Sequence, residues 1–136
     1  MTNQDHHLSF TFNPKLDAGL IVDFFGSDTD HLENVFTDFL NELPAFKQGL
    51  DEAYVAADIK KMKAIIHRFK PLYQYVGLPK AYVQLEFFEQ QCVDGVMTEN
   101  VDLQYKSALA HLQESLQIVE PELARLKIFN VNRNEN

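Results

Sequence analysis

Cysteine is nearly absent from this chain. A single thiol, Cys92, stands among 136 residues, so no internal disulfide can staple the fold and no second Cys offers metal-ligand spacing. A buried, inert thiol is the expected role. Glycine is sparse as well: the five glycines are scattered singly, which leaves no Gly-rich phosphate loop and excludes a kinase acting unaided. Long apolar runs are missing. No stretch approaches the ~20 residues needed to cross a bilayer, and the opening MTNQDHHLSF lacks the charged-then-apolar order of a signal peptide. Both absences point to a cytoplasmic protein. Basic residues are outnumbered, with 12 Lys and Arg against 20 Asp and Glu. The resulting charge of −8 argues against nucleic acid or anionic membrane as partner, since both need a basic face. Sustained period-two alternation is absent too, which excludes a sheet.

What is present is helical periodicity in a chain of one-domain length, with 46% hydrophobic and 24% charged residues. Asn13 and Pro14 supply a cap and a first-turn proline for a short helix ending at Gly26. Ser27, Asp28 or Thr29 opens a long amphipathic helix to Tyr54, bent at Pro44. Asp58 caps a third, whose stripe of Ile59, Met62, Ile65, Ile66, Phe69, Leu72, Tyr73 and Val76 ends at Gly77-Leu78-Pro79. A fourth starts near Pro79 and turns Tyr82, Leu85, Phe88 and Cys92 inward before Asp94-Gly95. Thr98 or Asn100 opens a fifth through Leu103, Leu109, Leu112, Leu116 and Val119, kinked or interrupted at Pro121. Long helices with short connections predict an all-α fold, an antiparallel four-helix bundle with an additional short N-terminal helix. The expected layout is a flexible segment over 1–12, the bundle over 13–128 and a polar, disordered tail over 129–136.

One short stretch, IHRFKPLYQYVG over 66–77, carries the chemistry. At about 100° per residue, His67 lies roughly 160° from Phe69 at the centre of the apolar stripe, on the outer face. Lys60, Lys63, Lys70 and Gln74 share that face, and Arg68 stands on its shoulder. In an otherwise acidic chain, this basic strip is the one place suited to a phosphate. Spacing alone favours an ordinary solvated helix face that carries a histidine by chance. Proline four residues after the histidine removes the N–H that would bond the His67 carbonyl.

The segment AIIHRFKPLYQYVGL resembles the histidine-containing phosphotransfer (HPt) domain family, whose signature reads His-x-Leu-Lys-Gly-Ser-Ser-x-x-x-Gly. His67, Phe69, Lys70 and Gly77 stand at the matching places. Upstream, FTDFLNELPAFKQGLDEAYVAAD looks like the family's second helix and the loop before the histidine helix; downstream, YVQLEFFEQQCVDG looks like its fourth, with Glu89 at the usual acidic or amide position. The resemblance implies a phosphorelay carrier without cofactor or resident metal. His67 would take a phosphoryl group from a receiver-domain aspartyl phosphate and pass it to another receiver aspartate, with Lys70 along the phosphoryl oxygens. The implied partners are receiver domains of response regulators or hybrid kinases, met by a monomer. Across a hairpin turning at Gly77, Glu89 lies 12 residues beyond the turn and His67 10 before it, so the two are expected at similar heights. Glu89 or Gln90 is then the partner of one ring nitrogen.

Departures from the family pattern gather just after the lysine. Pro71 replaces a glycine, and Leu72 and Tyr73 replace small residues. On the wheel, Ala64, Pro71 and Tyr75 flank His67 on one side as a docking strip, opposite Lys63, Lys70 and Gln74. His6, His7, His31 and His111 have no paired ligand and are expected to be structural or exposed. A helical adaptor that binds receivers without phosphotransfer is the competing expectation.

Overall fold

The structure, a computed structural model, describes residues 9–135. Among them the chain is all-helical, with no strand and five helices: α1 (Ala18–Phe25), α2 (Thr29–Val55), α3 (Ile59–Tyr75), α4 (Pro79–Gln91) and α5 (Glu99–Glu135). The packing runs around a ring. α3 lies against α2 and α4, α5 lies against α2 and α4, and α1 rests on α3. No helix among the described residues is long and apolar enough to cross a membrane.

Local chemistry sets the helix ends. Asp28 and Asp58 cap α2 and α3 by accepting from the backbone N–H groups of His31 and Lys61 at 3.0 and 3.1 Å. Thr98, not Asn100, opens α5, its hydroxyl accepting from the Val101 N–H. Both ends of the α3 hairpin use one C-terminal motif. Ala57 N–H bonds to Tyr54 O and Asp58 N–H to Ala53 O; Gly77 N–H bonds to Gln74 O and Leu78 N–H to Tyr73 O. That motif needs a left-handed residue, supplied by Ala57 at φ 52° and Gly77 at φ 79°. The first helix starts later than expected. Asn13 and Pro14 form a separate turn, closed by Leu16 N–H to Asn13 O, and Asp17 caps α1 instead, because its own N–H is tied to Gly77 O at 2.8 Å.

Prolines do not break the helices. α2, α3 and α5 run through Pro44, Pro71 and Pro121. An interior proline costs about 3 kcal/mol, yet the buried stripe continues on both sides of each: Leu43 and Phe46, Phe69 and Tyr73, Val119 and Leu123. Each fully buried large apolar side chain contributes about 1.5–3 kcal/mol, so two flanking ones outweigh one lost bond. Aromatic rings join α2 to α3, where the Phe46 and Phe69 rings stack at 4.1 Å and Tyr73 meets Phe39 edge-on at 5.4 Å. Cys92 is buried as expected, and burial pushes its thiol up to about 11. Leu103, expected inside, is 53% exposed; Val101, Tyr105 and Ala108 carry the inward face of that part of α5.

Both ends of the chain correct the sequence layout. Residues 129–135 are not a loose tail but the last turns of α5. There the Asn130 side chain, buried between α5 and the start of α2, donates to Thr29 O and Glu33, and Arg133 pairs with Thr29 Oγ1 and Asp30. Residues 9–12 are not free either. Phe10 packs edge-on against Phe129 and lies under the Arg125 guanidinium, which donates to Thr11 O. Buried Glu122 accepts from the Asn13 N–H at 2.7 Å and pairs with Arg125. The remainder of the flexible-segment expectation, with His6 and His7, lies outside the described residues.

Candidate functional site

The outer face of α3 presents His67 because the stripe from Met62 to Tyr73 turns the opposite face inward. Its side chain is 70% exposed, and Nδ1 stands 2.9 Å from Glu89 Oε2 on α4. The hairpin therefore brings the two to one height, and Glu89 rather than Gln90 takes the ring nitrogen. The same carboxylate holds Lys70: its Oε1 is 2.7 Å from the ammonium, and Glu86 stands 3.9 Å away on the other side. Lys70 also lies 5.8 Å above the ring of Tyr82, whose hydroxyl donates to Glu86. One carboxylate thus bridges an exposed imidazole and a half-buried ammonium.

Electrostatics follow from that bridge. Burial by itself would raise the Glu89 carboxyl, but its contacts with Lys70 and His67 prevail and hold it below the ordinary carboxylate value. The Glu89 bond keeps the Lys70 ammonium above its ordinary value against an opposing desolvation effect. Glu89 is therefore ionised at neutral pH, and a neutral His67 ring is best placed with its proton on Nδ1, donated to Oε2. The Nε2 lone pair then faces solvent.

The other expected residues divide between two sides of α3. Lys63 and Gln90 line a recess of about 400 Å³ between α3 and α4, together with Lys70, Glu86 and Glu89. Arg68 and Ala64 line a groove of about 500 Å³ between α3 and α2, floored by Phe46 and Phe69. Gln74 and Pro71 are half-buried. Tyr75 packs edge-on against Phe24 and Phe25 of α1, at 5.2 and 5.8 Å. Gly77 is buried away from the imidazole: a Cβ there would stand 2.7 Å from Ile21 Cδ1, so its role is to seat α1. His31 rests on Phe25, and His111 supplies its carbonyl to Ser115. Among the described residues no group of three or more His, Cys, Asp or Glu is placed to hold a metal ion.

Sequence reasoning missed three participants. Phe24 on α1 is 46% exposed and extends the apolar surface beside Tyr75. Glu86 and Tyr82 complete the surroundings of Lys70; their four-residue spacing, with Glu86 three before Glu89, was the available signal. Comparison with protein-family models, with curated proteins and with solved structures gives no match to this chain.

Proposed function

We propose that this protein is a phosphorelay carrier that accepts a phosphoryl group on Nε2 of His67 from a receiver-domain aspartyl phosphate and passes it to another receiver aspartate. The observation that carries the reading is the pairing of an exposed His67 with Glu89 through Nδ1, which orients the ring and leaves Nε2 outward. In the forward step the acyl phosphate P–O bond breaks, the Nε2–P bond forms and the aspartate carboxylate leaves. The carrier supplies a positioned nucleophile, and divalent metal comes with the receiver's acidic pocket. The likeness of 64–78 to the HPt signature supports the same reading. So does an antiparallel arrangement of α2 to α5, the natural consequence of short connections between neighbours. A cytoplasmic monomer meeting receivers through Ala64, Pro71, Tyr75 and Phe24 fits a strip on α3 and α1 whose ends, Ala64 and Phe24, are exposed and whose middle is half-buried.

Incubation with a phosphorylated receiver tests it. The expected product is acid-labile, base-stable phosphate on the wild-type chain. His67→Gln is expected to abolish that label while helix content and thermal midpoint stay nearly unchanged, because the side chain contributes little to the core. Absence of label on the wild type with several receivers rejects the carrier and leaves an adaptor.

A further inference from the structure

Four charged side chains converge on the recess beside His67: Lys63 and Lys70 from α3, Glu86 and Glu89 from α4. They are not equivalent. Lys70 is committed, 2.7 Å from Glu89 and 3.9 Å from Glu86, with its side chain only 14% exposed. Lys63 has no carboxylate within ion-pair distance among the described residues. It also stands four residues before His67 on the same helix face. Nδ1 of His67 is turned toward one oxygen of the Glu89 carboxylate, and Lys70 is held by the other. Resting on the carrier reading, we propose that charge compensation of the phosphoryl group on His67 falls to Lys63, and that Lys70 is a positioning residue which acts on the imidazole through Glu89.

The two lysines then have separable effects. Lys63 meets the phosphoryl oxygens as the Nε2–P bond forms, so its loss slows the transfer itself. Lys70 draws electron density from Glu89 and so limits how strongly that carboxylate holds a proton on Nδ1. Without the ammonium, the unshielded carboxylate favours the imidazolium, which has no lone pair to attack with.

Phosphoramidate serves as the probe, since it needs no identified receiver. Its N–P bond breaks, the Nε2–P bond forms and ammonia leaves. Lys63→Gln is expected to slow labelling by about tenfold, and Lys63→Arg to retain most of the rate. Lys70→Gln is expected to move the acid limb of the pH–rate profile upward and Glu89→Gln to move it downward. In the Glu89→Gln background, Lys70→Gln is expected to change the rate by less than about twofold, the mark of a residue acting through its neighbour. If wild type labels but Lys63→Gln labels equally fast, or Lys70→Gln costs the same factor in both backgrounds, the inference falls and the carrier reading stands. If wild type is labelled by neither phosphoramidate nor phosphorylated receivers, both fall. Should Glu89→Gln not fold, the Lys63 pair decides alone, because that position has no ion-pair partner to lose among the described residues.

Discussion

At the scale of single residues, Glu89 links everything at the site. Its carboxyl lies below its ordinary value despite burial, so its contribution to stability is present above that ordinary value, near 4.5, and is lost as pH falls through the lower folded value. Lys70 lies above its ordinary 10.5, so its contribution is present below that value and is lost as pH rises through the raised folded one. Between those limits the bridge is intact. Lys70→Gln is therefore expected to raise the Glu89 carboxyl pKa by removing one of the two partners that together outweigh burial. A side-chain carboxyl NMR titration of the two proteins checks this, and an unmoved Glu89 would mean that His67 alone sets its value.

At the scale of elements, the turn after α3 seats the histidine helix against α1. Gly77→Ala places a side chain at φ 79° and 2.7 Å from Ile21 Cδ1, combining a left-handed penalty with overpacking. A loss of about 2–4 kcal/mol is expected, measured by denaturant unfolding, with α1 detaching first. The glycine was legible as a helix stop and as a signature residue, but not as a packing contact with Ile21, a partner 56 positions away in sequence. The same division holds elsewhere. Helix existence, the α3 stripe and the His67–Glu89 register followed from periodicity and loop length. The Glu89–Lys70 bridge and the exposure of Phe24 depend on how helices sit against each other, which periodicity does not encode. The C-terminus shows the error most clearly: NVNRNEN is polar but for Val131, and only the facing start of α2 reveals that Asn130 and Arg133 are bonded. Deletion of residues 129–136 removes those bonds and the Phe129–Phe10 contact. A loss of about 3 kcal/mol is expected in thermal or denaturant unfolding, where a disordered tail would give none.

At the scale of the whole molecule, a charge of −8 surrounds one exposed basic strip on α3, and the two together decide how an acidic partner approaches. The background repels acidic surfaces from most directions, whereas Lys60, Lys63 and Arg68 attract them around His67. Attraction of this kind sets approach and register; affinity comes from apolar contact at close range. Ala64 stands at the edge of the groove between α2 and α3, exposed and with no side chain beyond Cβ to obstruct a partner. Ala64→Asp adds a carboxylate there, four residues from both Lys60 and Arg68, where helix neighbours of opposite charge leave the free protein at least as stable. Against the apolar rim and acidic pocket of the proposed receiver partner, the same carboxylate would lose its water on docking and meet like charge. Weakening by at least about 1 kcal/mol, or roughly fivefold in Kd, is expected, with the thermal midpoint unchanged. Part of the loss is expected to disappear as salt rises, because the like-charge component is screened and the desolvation component is not. A calorimetric titration at two ionic strengths reads both components, and unchanged affinity at moderate salt places the docking surface away from this face of α3.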